Sequence, residues 1–221
     1  MIDSNTPPPI EELSASTDGT LHYVVIADAS GSMTSAVSDV REAINAHLID
    51  LQNQPKAWVS VRVFDHRLMT VHDCVRPADA PPLTEDDYNA WGSTALYDAV
   101  AKTLLDTDTR ISASGGLGAN DKVVVLVFSD GMENASQEFS RPAFKHIMEN
   151  YSDRENWMVI MVGSDWATIQ DMENAHWRKE NLVNVKRGRE KEGMKAALNM
   201  AVDVFENRRA SFQRDDLDLE H

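Results

Sequence analysis

Three polar side chains follow the first apolar run of this chain, at positions where they could hold a metal ion. The stretch "VVIADASGSMTS", residues 24–35, ends its apolar run in Asp28 and then places Ser30 and Ser32 at alternate positions. In extended chain, residues at i, i+2 and i+4 point the same way, and Gly31 relaxes the turn between the serines. The stretch therefore predicts three oxygen ligands that converge on one point.

Further oxygen ligands occur in two later stretches of the chain. Ser93 and Thr94 lie at the predicted N-terminus of a helix in "WGSTALYDA", and Asp130 follows the apolar run "VVVLVFS". In an open parallel sheet, ligands bind outside the carboxyl ends of the strands, where such residues meet. Carboxylate and hydroxyl oxygens without a thiolate or an imidazole favour magnesium, manganese or calcium over zinc. The sequence therefore predicts a site for a hard divalent cation.

Hydrophobic periodicity predicts the elements that position these residues. The predicted strands are 21–27, 57–65, 67–75, 122–131, 157–163 and 182–186, and the predicted helices are 35–52, 93–107, 136–150, 165–177 and 190–209. The alternating segment 57–75 is typical of an antiparallel hairpin, whereas the unbroken apolar run after Lys122 is typical of a parallel strand buried on both faces. The predicted fold class is α/β. We expect a doubly wound (Rossmann-like), mostly parallel six-stranded sheet with one antiparallel edge strand and helices on both faces.

The composition is that of an acidic globular protein of 221 residues, with a formal net charge of −15 and a pI of about 4.7. Such a chain repels phosphate backbones, so we expect no binding to nucleic acid. No apolar run approaches the ~20 residues that span a bilayer, so we expect no membrane association. The N-terminus lacks the regions of a signal peptide and Cys74 is the only cysteine, which indicates the cytoplasm.

The chain is predicted to hold one folded domain between two looser segments. Residues 1–19 are rich in Pro, Ser and Thr and are expected to be flexible, and residues 20–209 form the domain. Residues 210–221 form an acidic tail whose last residues, "LEH", are similar to the start of a tag scar. The sequence leaves the oligomeric state open.

The polar residues of the three stretches together resemble the metal-ion-dependent adhesion site (MIDAS) of von Willebrand factor type A (VWA) domains. The pattern of that family is Asp-x-Ser-x-Ser in one loop, a Thr in a second and an Asp in a third. Here "DASGS" supplies Asp28, Ser30 and Ser32, "GSTALYDA" supplies Thr94, and "FSDGMEN" supplies Asp130. The resemblance covers about residues 20–209. It implies a VWA protein of the stand-alone bacterial or phage type, with these five residues as its metal site.

The resemblance implies a protein-binding module rather than an enzyme. In the family, the serines and the threonine contact Mg2+, Mn2+ or Ca2+ directly or through water, and the aspartates act mainly through water and hydrogen bonds. An open coordination position then accepts an Asp or Glu carboxylate of a partner protein. An acidic surface with one exposed cation would repel general anions and accept a carboxylate that a complementary surface places there.

Two other functions remain open from the sequence. Asp28 occupies the nucleophile position of haloacid-dehalogenase-type phosphatases, although Ser30 stands where their second acid occurs and Lys122 begins its strand instead of following one. A nucleophile without an acid/base partner and a charge clamp would be slow. The second alternative is a scaffold that binds its partner through sheet edges, without metal.

Several residues near the predicted site have less specific interpretations. Asp65 is predicted to be a turn residue beside Arg67. Glu133 and Asn134 either shape contacts with a partner or lie in a solvated loop. Trp91 is a candidate for the binding face, because it lies close to the predicted metal loops in sequence.

Overall fold

Six strands form one sheet in the order β3-β2-β1-β4-β5-β6. The computed structural model describes residues 19–130, 133–163 and 181–184, and single positions at 172, 174, 177, 178, 189, 192, 193, 196 and 197. The strands are β1 (Leu21–Asp28), β2 (Ala57–Phe64), β3 (Leu68–Val75), β4 (Lys122–Phe128), β5 (Trp157–Gly163) and β6 (Leu182–Asn184). Each strand overlaps one predicted from the sequence.

All neighbouring strands are parallel except for the edge pair. Strand β1 pairs in parallel with β2 and β4, β4 with β5, and β5 with β6. Strands β2 and β3 pair antiparallel, as expected for the hairpin. The fold class predicted from the sequence is therefore confirmed. Ala27 of β1 lies opposite Phe128 of β4, so the carboxyl ends of these two central strands lie side by side.

Helices cover both faces of the sheet, because the side chains of each central strand point alternately to opposite faces. Within residues 19–130 and 133–163, the helices are α1 (Val37–Asp50), α2 (Leu96–Ala113) and α3 (Arg141–Ser152), and short 3-10 helices span Gly31–Ser35, Leu51–Asn53 and Pro77–Asp79. On one face, Val25 belongs to the same apolar core as Ile44 of α1. On the other face, Ile26 belongs to the same core as Leu104 of α2 and Phe144 of α3. Two cores thus hold the central strands in place.

Helix α2 differs at both ends from the predicted 93–107. It begins at Leu96 and runs to Ala113. The helix extends beyond its predicted C-terminal end because Thr107 and Ile111 continue its buried face, and Ile111 belongs to the apolar core that α2 shares with the sheet. The loop that leads to β4 accordingly starts at Ser114.

Helix α3 begins at Arg141, five residues after the predicted start of the 136–150 helix. The backbone N–H groups of residues 137–139 donate to the carboxylate of Asp98, which holds this segment in a loop before the helix. The helix then starts at Ser140, whose side chain accepts from the N–H of Ala143 in the manner of an N-cap. The predicted start was wrong because Pro142, which lacks an N–H, would lie in the interior of a helix that begins at 136, whereas here it lies in the first turn.

Other parts of the prediction lie mostly or wholly outside the described residues. They are the segment 1–18, the helices 165–177 and 190–209, the end of the strand 182–186, and the tail 210–221. Strand β4 stops at Phe128, before the predicted end at 131. No helix in the described part of the chain has both the length and the apolar character needed to cross a membrane.

Candidate metal centre

The predicted site residues lie at the switch point of the sheet. The chain passes from β1 to β2 on one side and reaches β4 on the other, and such a reversal leaves a crevice at the carboxyl ends of the two central strands. Three loops meet there: the first loop (residues 29–36), the second loop (residues 89–95) and the third loop (residues 129–130 and 133–140).

Asp28, the last residue of β1, is fully buried, with 0% of its surface exposed. Its Oδ1 accepts from the backbone N–H of Ser30 at 2.7 Å, and its Oδ2 accepts from the hydroxyl of Ser129. Burial raises the pKa of Asp28 to about 6; the nearby carboxylate of Asp130 acts in the same direction, and the hydrogen bonds oppose the rise. The charged form of this carboxylate is therefore costly without a cation nearby.

Ser30, Ser32 and Asp130 form a chain of side-chain contacts across the first and third loops. The hydroxyl oxygens of Ser30 and Ser32 are 3.1 Å apart. The hydroxyl of Ser32 donates to Oδ1 of Asp130 at 2.6 Å, although the two residues are 98 positions apart in the chain. Ser30 is buried, Asp130 is half-buried and Ser32 is exposed. The structure thus brings these residues and Asp28 together along a path from the core to the surface.

Thr94 joins this group through its backbone. Its N–H donates to Oδ1 of Asn134 at 3.0 Å, and its carbonyl oxygen accepts from the N–H of Asn134 at 3.0 Å. The carbonyl of Gly92 accepts from the N–H of Gly31 at 3.0 Å. The second loop is therefore tied to the third by Thr94 and to the first by Gly92, and Thr94 itself is buried, with 3% exposed.

Glu133 holds the third loop against the start of α2. Its Oε1 accepts from the N–H groups of Ala135 and Ser136, and its Oε2 accepts from the hydroxyl of Ser136 and from the N–H of Tyr97. Asp98 anchors the same loop through the amides that follow. Glu133 and Asn134 therefore act within the molecule. A local pattern could not reveal this, because Glu133 and Tyr97 are 36 positions apart.

Tyr88 contacts the backbone at the floor of the crevice, and the sequence did not identify it as a residue of the site. Its side chain is 0% exposed, and its hydroxyl donates to the backbone carbonyl of Asp28 at 2.6 Å. The backbone N–H of Tyr88 donates to the carbonyl of Thr84 at 3.1 Å. Tyr88 thus fixes the backbone at the end of β1.

The turn between β2 and β3 borders the second loop. Asp65 accepts from the backbone N–H of Arg67 at 2.6 Å and from its guanidinium at 2.9 Å, in agreement with the predicted turn. The carbonyl of Asp65 accepts from the N–H of Ala95 at 2.9 Å, which joins this turn to the start of α2. Trp91 lies beside it with 71% of its surface exposed.

The donor groups at this junction are carboxylates and hydroxyls. Within the described ranges, no three His, Cys, Asp or Glu side chains cluster as metal ligands. Any cation bound here would therefore take hydroxyl oxygens in addition to Asp28 and Asp130.

Comparison with known proteins identifies the fold. No protein-family model and no curated protein matches the sequence. The solved structure of proximal thread matrix protein 1 from the mussel byssus is similar at TM-score 0.62 and 16% identity, covering 84% of this chain and 49% of that one. VWA2, the ArnB paralog of Sulfolobus acidocaldarius, is similar at TM-score 0.54 and 16% identity, covering 80% and 44%.

A von Willebrand factor type A protein from Catenulispora acidiphila is similar at TM-score 0.57 and 16% identity, covering 82% of this chain and 43% of that one. These likenesses, with the strand order, show that the chain has the fold of a VWA domain. It spans less than half the length of each of these three proteins. One structure of the mussel protein, at 15% identity and TM-score 0.61, has a zinc-occupied MIDAS motif.

Proposed function

We propose that this chain is a protein-binding module whose partner is held through a divalent cation. The proposed ligands are Asp28, Ser30, Ser32, Thr94 and Asp130. The observation that carries the proposal is the 2.6 Å bond from Ser32 to Asp130, next to the 3.1 Å contact between Ser32 and Ser30. These contacts gather oxygen donors from distant loops at the switch point, where ligands of such sheets bind.

The chemistry of the donor set fits a hard cation. Two carboxylates and three hydroxyls suit Mg2+, Mn2+ or Ca2+, which prefer oxygen ligands. A structure of the mussel protein has zinc in its MIDAS motif, so Zn2+ is a useful comparison ion. The five proposed ligands offer neither the nitrogen nor the sulfur atoms that Zn2+ commonly binds.

The electrostatics of the crevice support the same ion. Asp28 is buried near Asp130, and both effects raise the pKa of Asp28. A bound divalent cation would balance the two carboxylates and remove the cost of their proximity. Because Ser32 is exposed, the cation would keep one side open to solvent. A carboxylate of a partner protein would complete its coordination there.

The phosphatase alternative finds less support. Asp28 has no exposed surface, and Ser30 stands where the second acid of such phosphatases occurs. An aspartate nucleophile needs an oxygen free to approach a phosphorus atom in line with the leaving group. We therefore assign Asp28 to cation binding and propose a non-enzymatic role. The proposed location is the cytoplasm, which the sequence favours.

Thermal unfolding with added Mg2+ or Mn2+ tests the cation part of the proposal. A ligand that binds only the native state adds RT ln(1 + [L]/Kd), about 2.7 kcal/mol at a hundred times the Kd, so the melting temperature should rise. Ser32→Ala and Asp28→Asn should remove that rise. The matched control is Ser35→Ala, which removes an exposed hydroxyl from the same 3-10 helix. An undiminished rise in Ser32→Ala and Asp28→Asn contradicts the site.

Capture experiments test the partner part. Immobilised wild-type protein should retain partner proteins in Mg2+ and release them in EDTA, whereas Asp130→Asn should retain none. Equal retention of the same partners in both buffers favours binding through a sheet edge. Turnover of a generic phosphate ester that Asp28→Asn abolishes would support the phosphatase.

A further inference from the structure

Trp91 is a large aromatic side chain that lies exposed beside the proposed cation site. Its backbone N–H donates at 2.6 Å to the carbonyl oxygen of Ala29, the residue between Asp28 and Ser30. Other exposed large apolar residues in the described chain lie on α1, β3 and α2: Ile49, Met69 and Leu105. Trp91, by contrast, is bonded directly to the first loop.

The backbone next to Trp91 is held in one conformation. Gly92 has a φ of +79°, which favours glycine, and a Cβ at this position would lie 2.8 Å from Nδ1 of His66 and 3.2 Å from Oδ2 of Asp65. The same glycine accepts from Gly31 of the first loop. An aromatic side chain on such a fixed backbone loses little conformational entropy when a partner covers it, which favours its use as an anchor.

Arg67 gives this surface its charge. Its guanidinium lies 5.7 Å from the centroid of the Trp91 ring, and its side chain is 53% exposed. The side chain of Asp65, with which Arg67 forms an ion pair, is only 3% exposed. The positively charged guanidinium of Arg67 is therefore the exposed member of the pair. On a molecule of net charge −15, a positive group beside a metal site favours an acidic partner at this place.

We propose that Arg67 and Trp91, here called the Trp91 rim, select the partner by binding the residues next to its metal-bound carboxylate. The inference rests on the proposed function, because the cation places the carboxylate. The partner presents an Asp or Glu to the cation and, one or two residues away, a large apolar side chain that covers the indole. Trp and Arg are enriched among the residues that dominate interface energies.

A phage library of random peptides tests this proposal with a defined probe. The library is bound to immobilised protein in Mn2+, eluted with EDTA and sequenced. Wild-type protein should enrich peptides in which Asp or Glu lies beside Phe, Leu, Ile or Trp. With Trp91→Ala, the acidic residue should stay enriched and its apolar neighbour should not. Ile49→Ala removes an exposed apolar side chain from α1 and should select like wild type.

A synthetic copy of the most enriched peptide then gives affinities by fluorescence anisotropy. Trp91→Ala should weaken binding roughly tenfold or more, as expected for a central aromatic anchor. Arg67→Gln should weaken it as well, and Ile49→Ala should leave it unchanged. The rise in melting temperature with Mn2+ should be the same in all three variants, because none of them changes a proposed ligand of the cation.

The outcomes separate this inference from the proposed function. Acidic peptides without an apolar preference overturn the rim and leave the cation-dependent module intact. No EDTA-dependent enrichment overturns both the carboxylate-bearing partner and the rim. If Trp91→Ala loses the Mn2+ effect, the residue supports the metal loops instead of the partner, and the rim is overturned.

Discussion

The hydroxyl of Tyr88 donates to the backbone carbonyl oxygen of Asp28 at 2.6 Å, across 60 positions of the chain. The bond fixes the end of β1 just before the proposed ligands Ser30 and Ser32. Both residues are 0% exposed, so water could not take the place of the Tyr88 hydroxyl if that hydroxyl were removed. The end of β1 is therefore positioned by Tyr88, a residue that is not itself a proposed ligand.

Tyr88→Phe should lower the free energy of unfolding by about 1–3 kcal/mol, because a buried carbonyl loses its phenolic donor. Urea unfolding measures the change. The matched control is Tyr23→Phe, since Tyr23 is also buried but its hydroxyl has no hydrogen-bond partner among the residues that the structure describes. That variant should be neutral or stabilising. Equal destabilisation by the two variants would show that the bond to Asp28 contributes nothing specific.

Glu133→Gln should destabilise the protein by about 2 kcal/mol or more, since one end of a side-chain amide cannot accept from the N–H groups that face the carboxylate. The control is Glu138→Gln, which removes an exposed ion pair with Lys102 and should cost at most about 1 kcal/mol. Urea unfolding of both variants gives the comparison. A larger loss for Glu138→Gln contradicts the role assigned to Glu133.

Gly92→Ala should cost more than Gly116→Ala, although the two glycines have similar φ angles of +79° and +84°. A Cβ at Gly116 meets nothing within 4 Å, so that variant should show only the backbone cost, about 1 kcal/mol. At Gly92 the Cβ would also press on His66 and Asp65. Equal thermal destabilisation of the two variants would mean that the turn yields without cost.

Stability should depend on pH through His47. Burial lowers the pKa of His47 to about 3, and the centroid of its ring lies 4.8 Å from that of Tyr23. In the described part of the chain, its Nε2 has no hydrogen-bond partner. Below its unfolded pKa of about 6.5, the unfolded chain gains a proton that the native state does not take up. The contribution of His47 is therefore present above that pH and is lost as the pH falls towards 3.

The test compares urea unfolding of wild type and His47→Leu from pH 7 to pH 5. Over the whole window, wild type should lose about 2 kcal/mol more than the variant, because the unfolded histidine takes up most of a proton there. The comparison removes the opposite contribution of Asp28, whose raised pKa favours the native state as the pH falls. His146→Gln changes an exposed histidine and should follow wild type. Parallel curves for wild type and His47→Leu would contradict the assignment.

The fold could be predicted because local patterns and sheet geometry agree. The alternation of Val24, Val25 and Ile26 between two cores and the unbroken run of β4 both require a sheet covered on two faces. The start of α3 differs from the prediction although Ser140 and Pro142 mark it locally, as an N-cap and a proline in the first turn. Helical periodicity alone does not include these two signals, and the bonds from the preceding amides to Asp98, about 40 positions earlier, have no local pattern.

The same limit applies to the candidate site. Asp28 and Asp130 could be located at the carboxyl ends of β1 and β4 because they follow apolar runs directly. The residues that hold the loops together, Tyr88, Glu133 and Asn134, act through bonds to backbone groups 36 to 60 positions away. Their side chains have no local pattern that sets them apart from ordinary loop residues.

The central claim is that one divalent cation binds where the three loops meet. Electron paramagnetic resonance of free Mn2+ measures this directly in a titration of the protein. Wild type should bind one Mn2+ per chain, and Thr94→Val and Asp130→Asn should each weaken binding roughly tenfold or more. Asp50→Asn, an exposed aspartate at the end of α1, should bind like wild type. Unchanged affinity and stoichiometry in Thr94→Val and Asp130→Asn would contradict the proposed site.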